Sequence, residues 1–267
     1  MDILKECALA YQNLLNIQYN IIVGKKKKLS YITISFKKAE FHHLIGLQYL
    51  KDLPYLKEDR TKIFNQIVDD QISYEDLKKS PQFPEVEGRI YLFKHLEEFL
   101  DSDNLVFKYH SNANNYSLIQ ATYLLKNQYA GNDIYIFIDE NPAPCMFYCR
   151  SFFQKGTRDY TANMPIMAVL YKEKYNIETN RSIIYMDKLS SQYPSDQDKA
   201  TGLFGFYKSI EDAAKSKDQP KPHDKLIRVV EEESVIEKAL SSKVDVVDLD
   251  DNCHTDGHYA EVDEPDD

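Results

Sequence analysis

Two adjacent histidines, His42 and His43, lie in the run Phe41-His42-His43-Leu44-Ile45-Gly46-Leu47. Imidazole is the side chain that takes and gives protons near neutral pH, since its ordinary pKa is about 6.5. On a helix over 39–50, Phe41, Leu44, Ile45 and Leu47 share one broad face, and both histidines and Gly46 fall on the other. A glycine inside a helix costs roughly 1 kcal/mol relative to alanine, so its presence there suggests that something approaches the backbone closely. Two histidines beside a bare patch of helix read as a pocket floor. The competing reading is a pair of hydrogen-bonded core or surface histidines with no part in chemistry.

A second group occupies Phe147-Tyr148-Cys149-Arg150-Ser151-Phe152-Phe153-Gln154-Lys155. On a strand, Cys149, Ser151 and Phe153 face one way, and Tyr148, Arg150, Phe152 and Gln154 the other. An arginine in the middle of so apolar a strand needs an acid or an anion, because burying it unpaired is prohibitive. Either a structural ion pair or a phosphate, matched by the guanidinium fork, would serve. A third group joins Asp159-Tyr160-Thr161, in a loop before Met164-Pro165, to Leu170-Tyr171-Lys172-Glu173-Lys174. On a strand Tyr171 and Glu173 share one face, and Lys172 and Lys174 the other, the pattern of a solvated lysine face.

The elements that must carry these residues follow from periodicity. Ala8, Tyr11, Leu14, Leu15 and Tyr19 recur at helical steps, predicting a first helix over about 3–17. A hairpin follows over 20–36, turning at Gly24 and four lysines, Lys25 to Lys28. Residues 39–100 read as a helical insertion with helices over 39–50, 57–70, 74–79 and 89–100. From Leu105 the period returns to two, predicting strands over 105–109, 117–125, 133–139, 144–154, 166–174 and 181–186. Short turns between them imply an antiparallel meander rather than βαβ units. The expected fold of 1–187 is α+β: an N-terminal helix and hairpin, a helical insertion, then a curved antiparallel sheet.

The chain has 267 residues and a formal net charge of -10. Residues 1–187 are neutral, and the whole imbalance lies in 188–267, so the N-terminal part is free to present a basic surface. We read 188–267 as a largely flexible acidic segment, too poor in apolar surface to fold alone. Its last stretch, from Val244 onward, carries many acids and no basic residue. That stretch would either solubilise the chain or occupy a basic cleft in cis. No run is long and apolar enough to span a membrane, and the N-terminus lacks a secretory pattern. Four cysteines do not make a disulfide scaffold, which favours a reducing cytoplasm. Cys145-x₃-Cys149 lacks a second pair to complete a zinc site, and Cys253, His254, Asp256 and His258 could bind metal only opportunistically. Walker, dinucleotide-binding, HExxH, G-x-S-x-G and EF-hand motifs are absent.

The runs FHHLIGLQYLKDL, CRSFFQKGTRDYT and VLYKEK, in that order, resemble the fourth group of phage-type barnase–EndoU–colicin–RelE-like (BECR) nucleases. The resemblance covers roughly 1–187. It implies an α+β BECR fold and a ribonuclease activity, the latter by fold analogy. His42, His43, Gly46, Arg150, Ser151, Phe152, Phe153, Lys155, Asp159, Tyr160, Thr161, Tyr171 and Lys172 match its pattern. Their types suit metal-free RNA cleavage, which needs a base for the 2′-OH, an acid for the leaving oxygen and a cation beside phosphorus.

On this reading the catalytic candidates are His43 as base or acid, His42 as its partner, and Arg150 on phosphate with Ser151 and Tyr171 in support. Lys155, Tyr160, Thr161 and Lys172 are candidate substrate contacts. No cofactor or metal is called for. The expected partners are RNA and an immunity or antitoxin protein, the chain being a toxin or phage-associated effector. Two rivals stand beside this reading: a non-catalytic module that binds RNA or protein on the same fold, and a metal-dependent nuclease using Asp159 or Glu173.

Overall fold

The computed structural model describes residues 1–26, 28–111, 117–141 and 146–189. Helix α1, Ile3–Leu14, starts where the Asp2 carboxylate accepts the amides of Leu4 (2.9 Å) and Lys5 (3.1 Å). Strands β1, Ile17–Lys25, and β2, Lys28–Ile34, form the expected hairpin, with Tyr19 opposite Ile34 and Lys25 opposite Lys28. The insertion holds α2 (Lys38–Leu44), α3 (Arg60–Val68), α4 (Tyr74–Leu77), α5 (Pro84–Phe93) and α6 (Leu96–Asp101), with short 3₁₀ turns at Leu47–Tyr49 and Pro54–Lys57. The remaining strands are β3 (Leu105–Lys108), β4 (Tyr123–Tyr129), β5 (Asn132–Glu140), β6 (Met146–Gln154), β7 (Ile166–Asn176) and β8 (Arg181–Asp187).

The α+β class holds, but an antiparallel sheet confined to 105–187 does not. Strands run in the order β1-β2-β6-β5-β4-β3-β7, and β7 returns to β1, closing a seven-stranded mixed barrel. The parallel contact sets Thr33 opposite Met146 and Ile34 opposite Phe147, between β2 and β6. Parallel neighbours need a long crossover, and the chain between β2 and β6 supplies one: all the helices from α2 to α6 and three strands. Closure recruits the N-terminal hairpin, because Tyr19, Ile21 and Val23 bury on the helix side while the other edge of β1 finds β7. Closing a sheet removes its exposed edges. Strand β8 stays outside the barrel, paired to β7.

The helices pack on the sheet through aromatic rings. Phe41 of α2 meets Tyr11 of α1 at 5.6 Å and Phe93 of α5 at 5.3 Å, and Phe93 meets Phe152 of β6 at 5.9 Å. Against the opposite face of β3–β6 lies a smaller core of Phe107, Tyr109, Leu124, Tyr135, Phe137 and Met164, with Phe153 and Tyr160 at its margin. Strict alternation separates Cys149 from Phe152, yet both join the main core. The reason is a bulge: Phe137 faces Ser151 and Ile138 faces Cys149, so Arg150 is an extra residue that shifts the phase.

Strand β4 also begins later than its alternation suggests. It runs to Tyr129 because Ala130 and Gly131, with φ of 49° and 81°, form a tight two-residue turn into β5. No helix among the described residues is long and apolar enough to cross a membrane. The acidic segment after 189, the Cys145 half of the cysteine pair and the 253–258 metal candidates lie outside the described residues.

Candidate functional site

Gly46 is where the sequence pattern and the three-dimensional arrangement meet most usefully. Helix α2 ends at Leu44, not at 50, and Gly46 stands beyond it at φ 91°, its amide closing on the His43 carbonyl at 3.1 Å. The glycine therefore ends a helix in the left-handed region that only glycine adopts easily. Something does approach it closely: a Cβ there would sit 3.0 Å from Val86 Cγ1, 3.4 Å from Arg89 Cδ and 3.5 Å from Arg89 Nη1. The bare patch is the seat of Arg89, which comes from α5 and which the sequence motifs do not single out.

Arg89 is half-buried, with its guanidinium carbon 5.3 Å from the Tyr49 ring and 5.8 Å from the Phe153 ring. Rings hold a guanidinium by their negative faces but leave its hydrogens unused. Nη1 is buried and donates to nothing, and among the described residues no carboxylate pairs with this side chain. Gln48, between Gly46 and Tyr49, likewise has both amide atoms buried without partners. Of six such orphaned side-chain atoms among the described residues, four belong to His42, Gln48 and Arg89. Native proteins leave few buried polar groups unpaired, so these atoms stand out among the described residues.

The two histidines differ. His42 is 5 % exposed, although its helical position predicts an open face, and its Nε2–H donates to the Leu56 carbonyl at 3.0 Å. Burial pushes its pKa down, so the ring is neutral and Nδ1 is an acceptor with no donor. His43, in the last turn of α2, is only half-buried and sits one turn before the Gly46–Arg89 contact.

Beyond Phe153 lies part of the third group. Tyr160 packs on Phe153 at 5.5 Å and on Tyr135 at 5.6 Å. Asp159 Oδ1 accepts the Thr161 hydroxyl (2.6 Å), the Thr161 amide (2.8 Å) and the Tyr135 hydroxyl (3.0 Å). Burial works against its charge, but these hydrogen bonds outweigh that and hold its carboxyl below the usual range. Lys155 Nζ lies 3.5 Å from Asp133 and 3.7 Å from Asp159. Phe153 thus links Arg89 on one side to Tyr160, and through Asp159 to Thr161 and Lys155, on the other.

A family model described as phage-Barnase-EndoU-ColicinE5/D-RelE like nuclease4, PBECR4, matches residues 3–189. The chain belongs to this family. No curated protein and no solved structure matches it. The PBECR4 match spans the barrel, its helices and the Arg89 corner, and it makes the protein a member of a nuclease family.

The other candidates lie elsewhere in the PBECR4 barrel. Arg150 needs no buried anion, because the bulge turns it to solvent, where it donates to Tyr148 Oη at 2.9 Å. Ser151 is buried beside it. Tyr171 is fully buried and donates to Glu173 at 2.7 Å; Glu173 also accepts from Asn20 at 2.7 Å, and Asn20 from Thr33 at 2.9 Å. Lys172 does not lie on a solvated face. It is 3 % exposed, donates to the Ser102 carbonyl and to Asn104 Oδ1 (3.0 Å), and burial lowers its pKa to about 8. Lys174 pairs with Glu97 at 2.7 Å and Asp101 at 2.9 Å, because α6 and the turn after it cover this side of β7. Among the described residues no three His, Cys, Asp or Glu side chains gather as a metal site would require.

Sequence reasoning misses Arg89, Gln48 and Tyr49. Each looks like an ordinary helix-surface residue in its own segment. Gly46 is the available signal, for it points to a close neighbour without naming it.

Proposed function

We propose that this PBECR4 protein is an endoribonuclease that cleaves RNA by acid–base chemistry at the corner between the end of α2, α5 and the end of β6. The observation that carries the reading is Arg89: a cation held between two rings, one nitrogen sealed from solvent, and no acceptor supplied to it among the described residues. A buried donor left without an acceptor is costly, and a phosphodiester would supply one in a geometry that suits the guanidinium fork. His43, one turn away on the less buried side of α2, is the group to exchange protons with the 2′-OH or the leaving oxygen. His42, neutral and held on Leu56, fixes the helix end that carries His43. Lys155 sits beyond Phe153 to meet a neighbouring phosphate, with Tyr160 and Thr161 shaping the edge. No metal enters this scheme, since the charge on phosphorus is met by Arg89.

The test is incubation of the purified full chain with a panel of RNAs, and with DNA of the same sequences, in EDTA. Cleavage of RNA alone, leaving 2′,3′-cyclic phosphate or 3′-phosphate ends, is expected. Failure of the folded protein to cut any RNA, or equal cleavage of DNA, overturns the proposal. Binding without cleavage, abolished by Arg89→Ala, would leave the fold as an RNA-binding module.

A further inference from the structure

Among the described residues, strand β8 is where the sheet stays open. It pairs with β7 on one side, and among the described residues no strand covers its other edge. Arg181, Ser182, Ile183 and Ile184 are all exposed, with Ile183 at 57 % and Ile184 at 47 %. Successive residues on a strand point to opposite faces, so these isoleucines make the edge apolar above and below. Ile177, 46 % exposed, follows the end of β7 nearby. Natural sheets blunt such edges with proline, lysine, inward charges or bulges; the stretch from Ser182 to Met186 has none of the first three and a single bulge, at Tyr185. The barrel hides its edges by closure, so an apolar edge left open among the described residues calls for an occupant.

We infer that β8 pairs with β8 of a second copy of this chain, forming a two-fold dimer whose sheet continues from one barrel into the other. The strand is complementary to itself. It begins with Arg181 and ends with Asp187, so antiparallel pairing sets the arginine end of each copy beside the aspartate end of its partner. The middle of the strand, Ile183 and Ile184, then falls near the two-fold axis, where each isoleucine meets apolar side chains of the other copy. Such an isologous contact uses one patch twice. One strand edge buries little area, so the dimer should dissociate on dilution. The inference does not depend on the nuclease reading, since β8 contributes nothing to the Arg89 corner.

Sedimentation velocity of the full-length chain across a concentration series provides the test. A doubling of mass with rising concentration is expected. Ile183→Lys and Ile184→Lys should each weaken the dimer by more than about tenfold, because every substitution counts twice across the axis. Both sites are exposed, so an unchanged melting temperature will show that the fold survives. As an independent measurement, Ile184→Cys should form an intermolecular disulfide on oxidation beyond any seen in the unsubstituted chain, since with Arg181 facing Asp187 this residue faces itself across the axis. A monomer at every concentration overturns the inference, as does a dimer indifferent to both lysine variants. A monomer whose β8 amides resist hydrogen exchange also overturns it, and would assign the edge to the chain after residue 189.

Discussion

The Arg89 corner and the β1–β7 seam use similar side chains for opposite ends. At the seam, Thr33, Asn20, Glu173 and Tyr171 lie across three neighbouring strands, and each donor finds an acceptor at 2.7–2.9 Å. Lys172 and Lys174, on the other face of β7, are likewise tied to α6 and the turn after it. At the corner, Arg89 and Gln48 have three buried side-chain atoms without a partner among the described residues, and His42 of α2 has a fourth. A buried polar group that is paired closes the barrel and fixes its register. One left unpaired lowers stability unless a ligand completes it. Residue type does not separate the two regions; hydrogen-bond satisfaction does.

Arg89 separates the two regions most clearly. Arg89→Ala should lower RNA cleavage by about 10²–10³-fold, the loss typical when a preorganised charge donor is removed from a reacting centre. It should cost only about 1 kcal/mol of stability, because no acceptor is orphaned and just the contacts with Tyr49 and Phe153 disappear. Single-turnover cleavage and urea unfolding on the same preparation measure both. A variant that unfolds while its folded fraction cuts normally would place Arg89 with the seam.

Glu173→Ala should do the reverse. It strands the Asn20 amide and the Tyr171 hydroxyl inside the sheet, at a cost of about 3 kcal/mol, while cleavage per folded molecule holds steady. Equilibrium denaturation reads the first and active-site-normalised rates the second.

Gly46→Ala lies between them. The left-handed backbone and a Cβ at 3.0 Å from Val86 Cγ1 predict a loss of about 2 kcal/mol. Because Arg89 Cδ is the next nearest atom, cleavage should fall as well, and an unaffected rate would detach Arg89 from the glycine.

The smallest effect is a pH dependence at the seam. The Lys172 amine is lowered to about 8 in the folded chain, against an ordinary 10.5. Between those values the unfolded chain holds a proton that the folded chain has released, so stability rises with pH across the window. Thermal or urea unfolding should show a gain of about 1 kcal/mol between about pH 8 and pH 9 that Lys172→Met removes. A flat profile in the parent chain would mean that Lys172 keeps its proton when folded.

Periodicity places the first helix, the hairpin, the insertion and most of the later strands, because each buries one face and repeats accordingly. The order of the three motifs is enough to point to the nuclease family, and Gly46 signals a close approach that the fold confirms. The errors have specific causes. Alternation fails at Arg150, where one bulged residue reverses the phase and turns an arginine expected to be buried out to solvent. The lysine face of β7 looks solvated in sequence because nothing local to Lys172 announces that Asn104 and the turn after α6 will cover it.

By itself the sequence determined most of the segments that are helical or extended and where the acidity lies, since these depend on neighbours a few positions away. The tertiary structure alone decided that the sheet closes, that Arg89 rests on Gly46, and that Glu173 finds Asn20 across 153 residues of chain. Those contacts join residues far apart in sequence. Their energy comes from burial and from hydrogen bonds that form only once the chain has folded, so no local pattern encodes which distant partner will complete them.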